Sequence, residues 1–323
     1  MMNISMTYFK LFISILFFIF HFSVNAKSPS VYPAVDVEMT TQKVSKHVYF
    51  VQGKAGVPTD NAGFISNAGF IVTNDGVVVF DTLGTPSLAA RLLKEIRQVT
   101  SLPIRYVVVS HYHADHIYGL QVFKELGAKI IAPQGARLYL ESPVADSLLE
   151  TRRFELDPWV NKSTYLVNPD QYIEKNTQFS LGNINFKINL LGNAHSQGDL
   201  TLLVEPDNVL FSGDLIFEGR IPFVGQANII NWLKALDNMR NVNVSAVLPG
   251  HGPLAKDPNA LINLTYGYLS LLKNSMQAAA KNWTPFAEAY SKIDWSNYKD
   301  LPAFEAANRR NAYNVFLFME QTQ

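Results

Sequence analysis

His111-Tyr112-His113-Ala114-Asp115-His116 places three imidazoles and a carboxylate within one hexapeptide. Neutral imidazole nitrogen and carboxylate oxygen are the ligands that catalytic divalent metals take, and nothing else commonly asks for such crowding. The chain has seven histidines. His195 and His251 stand in settings equally suggestive of a ligand. His47 is a surface or strand-end residue with no assigned role, and His21 falls in an N-terminal apolar stretch.

The elements that must position these side chains are legible around them. Tyr106-Val107-Val108-Val109 precedes His111, and Ile188-Asn189-Leu190-Leu191 precedes His195. Val209-Leu210-Phe211-Ser212-Gly213 leads to Asp214, and Val247-Leu248-Pro249-Gly250 leads to His251. Each candidate therefore follows an apolar strand, and loops leaving one edge of a sheet can converge on one point held by a rigid scaffold. A single strand-end histidine is ordinarily a hydrogen-bonded loop residue, and an aspartate after glycine is often a turn residue. Five of seven histidines at such exits, three of them around one aspartate, are a metal site.

The remaining pattern alternates. Residues 48–51 and 64–73 read as strands, Asn74-Asp75-Gly76 as a hairpin turn, and 77–80 as the strand that follows. Helical spacing appears over 87–99. It returns after the histidine cluster with Ile117, Leu120, Phe123 and Leu126, where Gly127 stands at the C-terminal cap. Residues 129–132, 186–191, 200–204, 209–211 and 246–248 read as further strands. Residues 135–154, 229–239 and most of the chain beyond 261 read as helix, with Met276 part of a packed layer. This order implies a layered α/β architecture with helices outside. The long interval 137–172, with Tyr139, Phe154, Trp159 and Tyr165, could form a lid, and 216–225 a loop facing it.

Composition narrows the function classes. The chain has 323 residues, 48% hydrophobic and 17% charged, with a formal net charge of zero, so no basic surface is available for nucleic acid. There is no cysteine, which excludes a thiolate nucleophile, a disulfide framework and a lipoprotein anchor. Lys10, the apolar run 11–20 and Val24-Asn25-Ala26 read as a cleavable signal peptide with a cut after Ala26. The run is short for a membrane span. The expected organisation is thus a signal peptide at 1–26, an α/β domain at 27–255 and a helical C-terminal extension at 256–323. The mature protein would be periplasmic or secreted, without stable membrane association, and would act on a small molecule.

The His-x-His-x-Asp-His cluster after a strand resembles that of the metallo-β-lactamase superfamily of hydrolases. So do Gly192-Asn193-Ala194-His195-Ser196-Gln197-Gly198-Asp199, Ser212-Gly213-Asp214 and Pro249-Gly250-His251-Gly252. Gly69 to Thr73 and Val79-Phe80-Asp81-Thr82 are similar to the family's N-terminal hairpin, with Asp81 at a position usually structural there. The resemblance covers residues 44–255. It implies an αββα four-layer sandwich with two divalent ions at its edge, zinc first, with iron or manganese as alternatives. Carried over residue by residue, it implies that His111, His113 and His195 bind the first ion. Asp115, His116 and His251 would bind the second, with Asp214 bridging. Two ions held closely lower the pKa of a shared water toward neutrality, so hydroxide is available at pH 7 without a serine or cysteine nucleophile. Asp115 is then the group to orient it and shuttle its proton.

Three readings stay open on these residues. The first is a dinuclear zinc hydrolase of a small carbonyl substrate: an ester, thioester, lactone or β-lactam. The second is an iron-dependent oxidoreductase similar to persulfide dioxygenases. The third is a metal-binding partner of a periplasmic quinoprotein or sulfur-oxidation system. The overall pattern also resembles the SoxH-like, quinoprotein-relay metallohydrolases. Aspartate at 214, where β-lactamases of the superfamily place Cys or Ser, is similar to thioesterase-like and lactonase-like members.

Overall fold

The computed structural model describes residues 31–254 and 257–322. The expected signal peptide lies outside the described residues.

The first half of the described chain runs β1 (Thr41–Lys43), β2 (Val48–Val51), β3 (Ala68–Val72), β4 (Val77–Phe80), α1 (Pro86–Val99), β5 (Ile104–Val108), α2 (Ala114–Ile117), α3 (Leu120–Glu125), β6 (Lys129–Pro133), α4 (Gly135–Leu140), α5 (Pro143–Glu155) and β7 (Gln171–Ile173). The second half runs β8 (Thr177–Leu181), β9 (Ile184–Gly192), β10 (Asp199–Glu205), β11 (Val209–Phe217), α6 (Ile229–Met239), β12 (Ala246–His251), α7 (Pro258–Lys281), α8 (Phe286–Ser291) and α9 (Phe304–Gln321). Strands β1 to β7 form one sheet in sequence order, antiparallel as far as β4 and parallel from β4 to β7. The second sheet has the order β12-β11-β10-β9-β8, antiparallel except for the parallel pair β11 and β12.

Side-chain alternation along these strands builds the layers. Val77 and Val79 face the cluster that includes Leu88, Leu92 and Ile96 of α1, whereas Val78 and Phe80 face the other sheet. Val209 and Phe211 of β11 also point between the sheets, where Phe211 meets the Phe80 ring at 4.9 Å. Leu210 points the other way, into the cluster formed with α6, α7 and α9. Period-two alternation with both faces buried requires cover on both sides of each sheet. The result is helix, sheet, sheet, helix, the expected αββα sandwich. The C-terminal helices pack on the outer face of the second sheet, with Trp232, Tyr268, Leu272 and Met276 fully buried among them.

Local signals set several boundaries. Thr85 caps α1, its hydroxyl accepting from the Leu88 amide at 3.0 Å, and Pro86 opens the helix. Asn228 caps α6 in the same way. The helix expected over 135–154 is two helices, because Pro143 starts a new one. The strand expected over 64–73 begins only at Ala68, the preceding residues being turn. Strand β11 continues beyond the expected end at Phe211 to Phe217. Strands β1, β7 and β8 were not marked by hydrophobic patterning: β1 and β8 carry no fully buried residue, and β7 only one.

Candidate metal centre

Four chain segments bring the candidate ligands to one edge of the sandwich. His111 to His113 follow β5, His113 with extended backbone, and Asp115 and His116 lie in the single turn of α2 that follows. His195 sits in the loop between β9 and β10, and His251 is the last residue of β12. Asp214 differs from expectation by lying inside a strand, because β11 continues past it. The β11–β12 register shifts on either side of Gly213, whose φ of +52° an L side chain rarely adopts. A Cβ at Gly213 would also lie 2.5 Å from Ser110 Cβ, so glycine lets the irregular strand approach the histidine loop. Such an irregularity re-aims a side chain.

The ligand atoms fall into two groups. His111, His113, His195 and Asp214 offer atoms within 4.8 Å of one another, as do Asp115, His116 and His251. In the first, His113 Nδ1 lies 3.0 Å from His111 Nε2 and 3.0 Å from His195 Nε2. Nitrogens bound to one tetrahedral zinc stand roughly 3.3 Å apart, so this triangle fits a single ion. In the second, Asp115 Oδ2 is 3.3 Å from His251 Nε2 and 3.6 Å from His116 Nε2. Asp214 faces both groups: Oδ2 is 3.4 Å from His195 Nε2 and 3.2 Å from His251 Nε2, and Oδ1 is 3.1 Å from His116 Nε2. His116 Nε2 and Asp214 Oδ1 are buried and make no hydrogen bond among the described residues. Orphaned donor atoms of this kind, converging in two sets, are what divalent ions would satisfy.

The far ring nitrogens are engaged in ways that turn lone pairs toward the centre. Asp81 Oδ2 accepts from His116 Nδ1 at 2.8 Å and from the Ser110 hydroxyl at 2.8 Å, and Oδ1 accepts from the Ser110 amide. Ser110 Oγ in turn lies 2.9 Å from His111 Nδ1. His251 Nδ1 donates to the Ile65 carbonyl at 2.7 Å. Three rings are thereby held in the tautomer that exposes Nε2, the arrangement typical of histidine ligands. Asp199 fixes the His195 loop by accepting from the amides of Ala194 and Ser196. Asn67 ties β3 to the His251 loop, its side chain donating to the carbonyls of Pro249 and Gly252 at 2.8 Å each. Phe217 stacks flat on His251 at 4.8 Å, and Trp232 meets His195 edge-on at 4.9 Å.

Electrostatics separate the two groups. Burial lowers the pKa of His111, of His113 and of His195, the last to about 3, so these rings are neutral and ligand-ready at pH 7. Burial pushes the same way on His116 and His251, but the charges of Asp214 and Asp115, joined by Asp81 for His116, outweigh it and raise both. Burial would raise the carboxylates of Asp115 and Asp214, yet the neighbouring imidazoles hold both below the usual range. Burial raises Asp199 to about 6 against the hydrogen bonds it accepts.

The sequence profile of the metallo-beta-lactamase superfamily matches residues 61–251. The chain belongs to that superfamily. A type 2 metallo-beta-lactamase of Elizabethkingia meningoseptica is 26% identical over 194 residues, 58% of this chain and 69% of that protein. The alkyl/aryl-sulfatase BDS1 of Saccharomyces cerevisiae is 34% identical over 114 residues, 33% of this chain and 16% of its own length. Among solved structures, the inverting sec-alkylsulfatase Pisa1 of Pseudomonas sp. superposes with a TM-score of 0.67 at 17% identity, covering 87% of this chain and 50% of that one. This chain therefore spans half of that sulfatase. The fold is the metallo-β-lactamase fold with added C-terminal helices.

All seven expected residues meet at this one edge of the superfamily domain. His47 does not: it pairs with Asp207 at 2.6 Å, joining a turn of the first sheet to the turn between β10 and β11. Of the insert after β6, Arg152 and Leu156 share a small cleft with Asp115, Gly63 and Gly84. Of the aromatic residues named there, Tyr139 meets Tyr112 edge-on at 6.0 Å, Phe154 is 90% exposed, and Trp159 donates to the Ala34 carbonyl. Sequence reasoning did not single out Ser110, Asn67, Asp199 or Arg220 individually. Arg220, in the loop after β11, is buried with Nη1 3.4 Å from His251 Nδ1. Its only sequence signal is a lone arginine in the mainly apolar stretch 215–224.

Proposed function

We propose that this protein is an exported dinuclear metallohydrolase, zinc-dependent in the first instance, that cleaves a small ester, thioester, lactone or β-lactam. The observation that carries this reading is the meeting of two ligand groups at one carboxylate, Asp214, beside a second carboxylate, Asp115, whose side chain keeps 21% of its surface exposed. His111, His113 and His195 would hold one ion, Asp115, His116 and His251 the other, and Asp214 would face both. Bound there, the ions would supply Lewis acidity and water activated at neutral pH.

The chain's own residues do the rest. Asp81, Ser110 and the Ile65 carbonyl orient the imidazoles. Asp115 is the most exposed of the carboxylates at the centre and is held ionised. It would accept a proton from an attacking water and return it to a leaving group, a role its ionised state supports. Apolar walls from Phe217 and Trp232 limit solvent behind His251 and His195. Sulfate esters join the substrate panel because two of the relatives are named as sulfatases.

Elemental analysis of purified protein, with a panel of ester, thioester, lactone, β-lactam and alkyl sulfate substrates, tests the reading. About two zinc ions per chain and hydrolysis of one class are expected. Iron with oxygen uptake, or fewer than about two ions with no hydrolysis, would overturn it. The export part is checked separately by the mass of the mature chain, expected to begin at Lys27.

A further inference from the structure

The insert between β6 and β7 is tied down along its length. Tyr112, between two candidate ligands, turns its side chain into the insert: it is 4% exposed, and its hydroxyl donates to the Val167 carbonyl at 2.7 Å. Arg153 of α5 donates to the carbonyls of Asn161 and Thr164, and Gln121 of α3 accepts from the Tyr165 amide at 3.1 Å. Backbone groups pinned in this way resist local opening, so the insert is a fixed wall rather than a mobile lid.

That wall reaches the metal centre at one place. Arg152, in the last turn of α5, and Leu156, just after it, share a cleft with Asp115, Pro58, Gly63 and Gly84. The cleft is narrow, its free volume of about 10 Å³ being roughly that of one water. Two glycines keep it from closing. A Cβ at Gly63 would lie 3.2 Å from Leu156 Cδ1, and one at Gly84 would lie 3.3 Å from Asp115 Cα. Leu156 and Pro58 give the cleft apolar sides, and Arg152 adds a guanidinium. The Arg152 side chain is 24% exposed, and its Nη1 donates to Glu155 Oε2 at 2.6 Å. Among the described residues, its Nε and Nη2 make no hydrogen bond. Arginine carries five donor hydrogens, and those on Nε and Nη2 are therefore open to a ligand. Glu155 already balances the charge, so these donors suit a neutral oxygen acceptor better than a second carboxylate.

We propose that Arg152 is a specificity-determining residue whose open N–H groups bind a neutral oxygen acceptor, such as an amide carbonyl, on a slim unbranched arm of the substrate lying in this cleft beside Asp115. A site built to hydrogen-bond such a group discriminates against the analogue that lacks it. The word substrate rests on the hydrolase reading, whereas binding of the arm does not.

The test uses full-length protein with its metal content measured, beside Arg152→Met, Arg152→Lys and Glu155→Gln. Four nitrophenyl esters of equal acyl length are compared, ending in a primary amide, a carboxylate, a straight alkyl group and a branched alkyl group. Matching ketones, with a methylene in place of the ester oxygen, report binding through the melting temperature without turnover. The ratio of kcat/KM for the amide over the straight alkyl ester should fall about 10- to 100-fold in Arg152→Met, mainly through KM, and less in Arg152→Lys. Glu155→Gln uncovers the guanidinium, so the carboxylate ester should gain on the amide ester by about 2- to 5-fold. A merely structural role would move neither ratio. The branched ester should be poorer than the straight one. Unchanged ratios, or a branched ester hydrolysed as well as the straight one, overturn the cleft assignment and leave the hydrolase standing. If no ester is hydrolysed but the amide ketone stabilises the wild-type protein and not Arg152→Met, the cleft stands and the hydrolase reading falls.

Discussion

Asp115 and Asp214 are both carboxylates held ionised among imidazoles, yet their surroundings give them different tasks. Asp214 is 5% exposed and faces ligand atoms of both groups, whereas Asp115 sits at the opening. Asp115→Asn keeps the shape and one acceptor oxygen but removes the proton-accepting charge. Turnover should fall by about 10²- to 10⁴-fold with most metal retained, read by kcat and elemental analysis on the same sample. Asp81 acts one step further out, through His116 and Ser110. Asp81→Ala should weaken metal affinity about 10- to 100-fold in a chelator competition. The raised pKa of His116 and His251 adds a pH dependence. In the metal-free protein their pairing with Asp214 and Asp115 is fully present below pH 6.5 and is lost as pH rises through the raised values. An ion must displace those protons, so acid competes with it. The three lowered histidines bind no proton at pH 7 and face little such competition. Dialysis at graded pH should therefore release one ion before the other as pH falls, the retained one at the three-histidine group. Simultaneous loss of both would contradict the assignment.

At the scale of elements, the metal-centre edge depends on strands that end or bend at chosen points. Gly250 shows how tight the approach is: a Cβ there would lie 2.0 Å from Asp214 Oδ1. The C-terminal helices act on the same edge from outside. Thr265 of α7 both donates to and accepts from the backbone of Phe217, at 3.0 Å each, fixing the end of β11 just after Asp214. Asn311 of α9 does the same for the following loop, donating to the Pro222 carbonyl and accepting from the Val224 amide. Asn311→Ala leaves the Val224 amide and the Pro222 carbonyl buried without their partner, at a cost of about 1–3 kcal/mol for each group left unpaired. The expected result is a lowered melting temperature and faster amide exchange over residues 221–226, with β9 and β10 protected as before. Exchange that accelerates uniformly would show that the network holds the whole fold rather than this loop.

Over the whole molecule, three apolar layers separate the four tiers, and the middle one lies between the two sheets. Phe211 sits there, 2% exposed against Phe80. Phe211→Ala should cost about 3–5 kcal/mol in chemical denaturation, because the two sheets cannot close over the cavity. Phe154→Ala, on the exposed face of α5, should change stability by no more than about 0.5 kcal/mol. The outer layer on the second sheet is built largely from α7 and α9, which share one apolar cluster with Leu210, Phe217 and Val247 of β11 and β12. Among the described residues, no helix is long and apolar enough to cross a membrane.

Much of this was written locally. The ligand types, their order and the strands that carry them appear in the sequence because His111 to His116 are adjacent and β-branched runs mark their own strands. The alternation of Val77 to Phe80, all apolar, shows only that both faces are buried; the opposing sheet and α1 decide which residue faces which layer. Asp214 read as a post-strand residue because Gly213 looked like a turn, and pairing with β12 is what continues the strand through it. The division of ligands into two groups was supplied by family resemblance and has its geometric basis in tertiary distances. Arg220 and its support were beyond local reading, since Asn311 meets Pro222 across 89 residues of sequence. Short-range spacing determined which chemistry the chain carries. Long-range burial decided that Arg220 stands beside it.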